Sequence, residues 1–328
     1  YTDTFPHTGA NFWKDWERPV HFEYVDENGT AQLEFNAGVK VFGQYSRAMD
    51  QKSLSINLRD RYGPKEFCYP LFGQDAATNV YSELVLRNAG QDGSHAHLRD
   101  AFVARTIKGQ ADVDFMDYRP VVVYINGEYY GLYDLREKIC ESYVSNRTGA
   151  DEDTIDMIKG ESILMSGSLT AYKELLQYVK THDLSKQENY DHVASLVDVD
   201  ELIDYWIAIS FFGNTDTGNI KFYRERADGA KWRWVVFDQD WALWPGTHTW
   251  NMVEEIINPN GHGVGHMFST DLMRGLMHNT AFRDKFISTY GTRLKTTYST
   301  ERLLSVYDAM VAEIRAEMPA HFERWPGL

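Results

Sequence analysis

At 328 residues the chain is long enough for two lobes, or for one large domain with a deep cleft between its layers. A formal net charge of −15 disfavours nonspecific binding to nucleic acid or anionic lipid, because most of the surface would repel a phosphate backbone. A single anionic ligand bridged by a divalent cation remains compatible with that charge, whereas a membrane span does not fit, since no run approaches the roughly eighteen apolar residues one needs.

The first third reads as strands. "HFEYV" and "AQLEF" flank the turn "DENG" and predict a hairpin, and "QKSLSINLRDRYG" alternates through Leu54 and Ile56, with Lys52 in mid-strand. "SELVLRNAG" extends the series. "SHAHLRDAFVARTIKG" then changes period, with Leu98, Ala101, Phe102 and Arg105 at helical spacing, Ser94 as the expected N-cap and Gly109 at the far end; Asp100 is the acid of this helix that could partner Lys52. "YRPVVVYINGEYYGLYDLREKI" returns to strands around Asn126-Gly127, the strongest local hairpin signal in the chain.

Beyond about residue 138 the pattern is mainly helical. "LTAYKELLQYVKTH", "NYDHVASLV", "VDELIDYWIAISFF", "TDLMRGLMHNTAFRDKFISTYGTRL" and "TERLLSVYDAMVAEIRAEM" carry apolar residues at three and four spacing, and a single hairpin interrupts them. The expected fold is therefore α+β and bilobal: a β-rich lobe over 1–137 and a mainly helical lobe over 138–328. Protein-kinase-like folds follow this plan, although architecture does not fix function. Cys68 and Cys140 allow one disulfide at most and are expected to be free. The start at Tyr1, with no initiator Met, signal peptide or charged leader, reads as an excised domain or a processed product.

The chemistry concentrates in "GNTDTGNIKFYRERADGAKWRWVVFDQDWALW". The helix "VDELIDYWIAISFF", capped by Asp200, leads into "GNTD"; "IKFYRER" and "KWRWVVFD" then pair across "ADG", which sets Asn219 roughly opposite Asp238. Asp216, Asn219 and Asp238 converge at one end, and an extended backbone would put Asp240 on the same side as Asp238. Such a cluster is self-repelling unless a cation or protons intervene, and its oxygen donors suit Mg²⁺ or Mn²⁺. Solvated strand ends or a structural Ca²⁺ site are the bland alternatives. Helix, loop Asp, Asn, strand, turn, strand and Asp is also the order of a phosphotransferase catalytic half.

With "VFGQYSRAMDQKSLSI", "GLYDLREKI", "NTDTGNIKFY" and "VFDQDWALW" in that order over about residues 35–245, the chain resembles the spore coat protein H (CotH) kinase-like family, whose members carry "RG-small-S", a strand lysine, "G-Y-x-L-x-E", "N-x-D…N" and "W-D-x-D". The resemblance implies an atypical protein kinase that binds ATP and Mg²⁺ or Mn²⁺ in a cleft between lobes and phosphorylates Ser or Thr of a protein substrate, in a bacterial spore-coat or cell-surface setting. It implies Lys52 and Arg47 at the nucleotide phosphates, backbone around Leu135 and Glu137 at the adenine, Asp216 as the catalytic acid, and Asn219 with Asp238 or Asp240 at the metal. The chain departs from the pattern in three places. Asn219 follows Asp216 by three residues rather than the kinase five, with Asn214 as the other amide; the phosphate loop has one glycine, Gly43; and Phe42 replaces the arginine before it.

Two rivals remain. A degenerate, binding-only pseudokinase would act as a coat or surface interaction module, and a glycosidase would use Asp216 with Asp238 or Asp240 as acid and base but leave Lys52 and Glu137 without roles. Ser-His-Asp hydrolysis has no G-x-S-x-G elbow. His262 and His266 are four apart in "NPNGHGVGHMF", where the glycines oppose a metal-binding helix and read as a loop near the substrate. Trp232, Trp234, Trp241, Trp244 and Trp250 are expected to pack rather than to stack on sugars.

Overall fold

The computed structural model describes residues 2–160, 162–214, 216, 219–259 and 270–327. It is α+β, as expected, and divides into two compact units: Tyr1–His97 with Asp117–Gly149 and Ala312–Leu328, and Leu98–Met116 with Ala150–Val311.

In the first unit β1 (Arg18–Val25) and β2 (Ala31–Val41) form the expected hairpin. Asp26 makes its turn by accepting from the backbone N–H of Asn28 and Thr30, each at 2.9 Å, while Gly29 takes φ 78°. Next come β3 (Leu54–Asn57), β4 (Phe67–Cys68), β5 (Val80–Tyr81) and β6 (Glu83–Arg87). Lys52 therefore precedes β3 rather than lying in mid-strand. The reason is that side chains take up the local carbonyls: Asn88 Nδ2 donates to Gln51 O at 2.6 Å and the Tyr133 hydroxyl to Lys52 O at 2.7 Å. Ser94 caps nothing. Asp92 accepts from the N–H groups of His95, Ala96 and His97 at 2.9–3.0 Å, and the single left-handed residue His97, φ 64°, breaks the helical path between Ser94 and the next helix.

That helix, α1 (Arg99–Ile107), and β7 (Asp114–Phe115) belong to the second unit. The chain then returns to the first with β8 (Tyr118–Ile125) and β9 (Glu128–Glu137), joined through Asn126 and Gly127 at φ 52° and 80°, and α2 (Glu141–Thr148). The antiparallel sheet runs β1-β2-β3-β6-β9-β8. Phe35 stacks with Phe22 and Phe67 at 4.9 and 5.2 Å, and Leu84 and Tyr133 are fully buried in the same cluster. Cys68 and Cys140 are free.

The second unit contains β10 (Ile155–Lys159) and β11 (Ile163–Ser166), a second hairpin where the sequence predicts only one. Strand β10 is buried along nearly its whole length, so it shows no polar–apolar alternation to reveal it. Helices α3 (Thr170–Thr181), α4 (Gln187–Leu196) and α5 (Val199–Phe212) follow, then β12 (Lys221–Glu225) and β13 (Arg233–Val236), which complete a sheet ordered β11-β10-β12-β13-β7. Its core packs Phe222 on Trp234 at 5.5 Å and on Tyr172 at 4.4 Å. Last come α6 (Met252–Ile257), α7 (Asp271–Met277), α8 (Thr280–Lys295), α9 (Thr300–Ile314) and α10 (Met318–Arg324). Asn279 splits α7 from α8 by accepting from Phe282 N at 3.1 Å.

Helix α10 closes the first unit against β9. Leu132 N donates to His321 Nδ1 at 3.1 Å and Trp325 Nε1 to Tyr130 O at 2.8 Å. Gly131, at φ 111°, permits the approach: a Cβ there would lie 2.9 Å from Trp325 Nε1. No helix among the described residues is long and apolar enough to cross a membrane.

Candidate active site

Helix α5 is apolar almost all round and buried, so its C-terminal end is a fixed platform. Asp198, not Asp200, is its N-cap, accepting from Glu201 N at 3.4 Å; of two acids two residues apart, only the first stands at the three-residue reach that the cap requires. At the other end Gly213 is left-handed, φ 62°, and its N–H returns to Ile209 O. Asn214 is buried, and its Oδ1 accepts from Asp216 N at 3.1 Å. Asn219 Nδ2 donates to Asp216 Oδ2 at 2.7 Å, and both residues are half-buried. The two amides thus divide the work: Asn214 shapes the loop, and Asn219 meets the carboxylate. Because Asn219 presents its nitrogen to Asp216, its oxygen is the atom turned to other uses.

The hairpin registers Lys221 with Val235 and Tyr223 with Arg233. Continued outward, the same register sets Asn219 against Phe237, one residue short of Asp238. Strand β13 stops at Val236, and Asp238 takes φ 56°, so the extended backbone needed to put Asp238 and Asp240 on one side does not persist. Gln239 is the strut of this turn. Its N–H donates to Asp100 Oδ1 at 2.8 Å, its Nε2 to Phe237 O at 2.8 Å, and its carbonyl accepts from Ala242 N at 2.9 Å. Leu243 N then bonds Phe212 O at 2.7 Å, tying the segment after the acids back to the end of α5. Asp238 is half-buried and Asp240 buried.

Under this turn lies an ionic network. Arg233 meets Asp112 and Asp114 at 3.2 and 3.1 Å and also pairs with Asp198, while the Glu201 carboxylate accepts from Trp234 N at 3.1 and 3.0 Å. Burial pushes Glu201 well above the usual carboxylate range, against the pull of Arg233. These residues lock β13 to α5 and so fix the strand that enters the acidic turn. Sequence reasoning missed Arg233, Asp114 and the role of Asp100, because their partners lie far away along the chain.

The candidate nucleotide residues lie in the first unit. Lys52 Nζ donates to Met49 O and stands 4.1 Å from the Phe12 ring centroid, and burial lowers its pKa. Its neighbours are pinned: Gln51 Nε2 donates to Leu132 O at 2.8 Å, and Ser53 Oγ to Asn88 Oδ1 at 2.6 Å. Arg47 folds back on its own turn, giving Nε to Gly43 O at 2.8 Å and Nη1 to Trp13 O at 3.3 Å. Gly43 has φ 102°, and a Cβ there would meet Ser46 Oγ. Leu135 sits inside the sheet, in register with Leu86 on one side and Arg119 on the other. Glu137 is buried, pairs with Arg147 Nη2 at 2.5 Å and accepts from Asp117 N at 3.0 Å, which joins β9 to α2.

Asp216, Asn219, Asp238 and Asp240 are all hard oxygen donors, the chemistry a Mg²⁺ or Mn²⁺ ion selects. Among the described residues no three of His, Cys, Asp and Glu form a metal-holding group. His262 and His266 lie outside the described residues. Trp232 and Trp234 pack in the core as expected, whereas Trp250 is exposed.

No curated protein matches the chain. A family profile described as CotH kinase protein matches residues 39–328, nearly its whole length, and with that extent of match the chain belongs to the CotH kinase family.

Proposed function

We propose that the chain is a metal-dependent atypical protein kinase that transfers the γ-phosphoryl group of ATP to a Ser or Thr hydroxyl of a protein. The observation that supports this most directly is the Asp216–Asn219 hydrogen bond on the loop leaving α5. Asn219 fixes one oxygen of the carboxylate, so the acid is oriented before an acceptor hydroxyl arrives, and Asp216 then accepts that hydroxyl's proton. Asp238 and Asp240, with the Asn219 oxygen, would hold Mg²⁺ or Mn²⁺. The bound ion would neutralise charge on the phosphates. Lys52 supplies an ammonium for the phosphates; its present partner is a neutral carbonyl, which it can exchange at little cost.

A binding-only module is the second reading, favoured by Arg47, whose guanidinium is turned to main-chain carbonyls and the Asp15 carboxylate of its own unit. Incubation of the protein with γ-labelled ATP and Mg²⁺ or Mn²⁺, with and without a generic Ser/Thr protein acceptor, separates the two. Label on the chain or the acceptor is expected. Metal-dependent ATP binding without any transfer would leave the binding module, and loss of both would sink the phosphotransferase reading.

A further inference from the structure

We propose that Asp100 is a positioning residue for the metal-holding acids, its carboxylate fixing the left-handed turn at Asp238 through the Gln239 amide; this assignment rests on the phosphotransferase reading. Asp100 stands in the first turn of α1, where an acid ordinarily faces water and favours the positive end of the helix. This one is 4% exposed, and its Oδ1 accepts at 2.8 Å from an N–H 139 positions further along the chain. Burying a carboxylate is costly without a firm hydrogen bond, so its place beside the acidic turn calls for a reason beyond helix capping.

The turn supplies one. Asp238 is held at φ 56°, a conformation that costs a non-glycine residue about 1 kcal/mol or more and persists only where its surroundings enforce it. The enforcement falls on the next residue, Gln239, whose N–H is taken by Asp100 and whose side chain returns to Phe237 O at 2.8 Å. Asp238 and Asp240 stand one on each side of that clamped residue. The β12–β13 ladder has already ended at Val235, so the bond from α1 is a tie on this turn that the hairpin does not supply. A charged acceptor gives a shorter and stronger bond than a neutral one, which suits a group that must hold two like charges near each other.

The test uses the full chain with Asp100→Ala and Asp100→Asn. Amide hydrogen exchange without metal should show Gln239 losing protection by about tenfold or more in Asp100→Ala, the scale of one lost hydrogen bond, and regaining most of it in Asp100→Asn, which keeps an acceptor oxygen. In ATP transfer, the Mn²⁺ concentration for half-maximal rate should rise about 10- to 100-fold in Asp100→Ala, as for residues that orient metal ligands, with kcat at saturating Mn²⁺ within about threefold of the parent. Unchanged Mn²⁺ dependence with a parent that transfers phosphate would overturn the assignment, as would a fall in kcat alone. If Asp100→Ala does not fold, Asp100→Asn decides: a small Mn²⁺ shift in the same sense supports the proposal, and parent-like exchange with a kcat defect opposes it. A parent that neither binds ATP with Mn²⁺ nor transfers phosphate overturns the kinase reading and this role together.

Discussion

Lys52 and Asp216 are held by different kinds of chemistry. Around Lys52 the frame is made of buried neutral side chains: Gln51, Asn88 and Tyr133 donate to main-chain carbonyls, and the Ser53 hydroxyl donates to Asn88 Oδ1. The ammonium adds its own bond to Met49 O. Around Asp216 the frame is backbone conformation, with left-handed residues at Gly213, Asp238 and Leu243 and short hydrogen bonds that staple one turn to the next. There the side chains of the proposed site belong to the frame's own surface. A change near Lys52 should therefore cost stability wherever it touches the frame and little at the head group, whereas a change in the acidic loop should cost chemistry and little stability.

The sharpest way to break this contrast is Asp216→Asn. Removal of the proton acceptor should lower labelled phosphate transfer by about 10²- to 10⁴-fold, with unfolding free energy changed by less than about 1 kcal/mol because the site is only half-buried. Parent-like transfer would show that the loop acid is not the base.

Acid should attack the first unit through its histidines. His97 is buried against His321, ring centroids 5.2 Å apart, and desolvation first, then the neighbouring His321, pushes its pKa down to about 4. Since the unfolded chain binds this proton at about pH 6.5, the contribution is complete above that pH and is lost as pH falls towards 4, by about 3 kcal/mol. Urea midpoints of the parent and His97→Gln should converge as pH drops through this window; parallel curves would remove His97 from the account. Glu201, in the second unit, has the opposite sign: its raised pKa means a contribution present below about pH 4.5 and lost as pH rises through the folded value.

Next in size is Asn88→Ala, which removes the donor to Gln51 O and the acceptor of the Ser53 hydroxyl and Gly90 N in the interior, and should cost about 1–3 kcal/mol in urea unfolding. A loss under about 0.5 kcal/mol, the range of an ordinary surface change, would mean the frame is not what holds the segment. The smallest structural effect belongs to Lys52→Met. Its stem can still lie along Phe12, so stability should shift by less than about 1 kcal/mol while ATP affinity, by titration calorimetry, falls about tenfold. Equal affinities would leave Lys52 a structural residue.

What was legible in the sequence follows the range of the forces involved. Asn126-Gly127 declared its hairpin, because the left-handed turn is a property of those two residues alone. The convergence of Asn219 with Asp216 was read from the order of helix, loop and hairpin, and the two do share a hydrogen bond. Lys52 was misread because its carbonyl is satisfied by Tyr133, 81 residues away, and not by a ladder partner that alternation would reveal. The DQD turn failed for a related reason: alternation assumes an extended chain, and the bond from Gln239 to Asp100 enforces a bend that no local pattern encodes. Strand β10 hid because a strand buried on both faces has no polar side to show.

The docking of α10 on β9 has a consequence in time. Leu132 waits for an acceptor on His321, 189 positions downstream, and at roughly 5–20 residues per second of ribosomal synthesis that interval is on the order of 10–40 s. Throughout it the Tyr130 carbonyl and the bare backbone of Gly131 have no helix over them, so the sheet that forms first is the one finished last. A nascent chain of this protein should thus present one identifiable sticky patch, at Tyr130–Leu132, to whatever chaperones attend the exit tunnel, until α10 emerges and covers it.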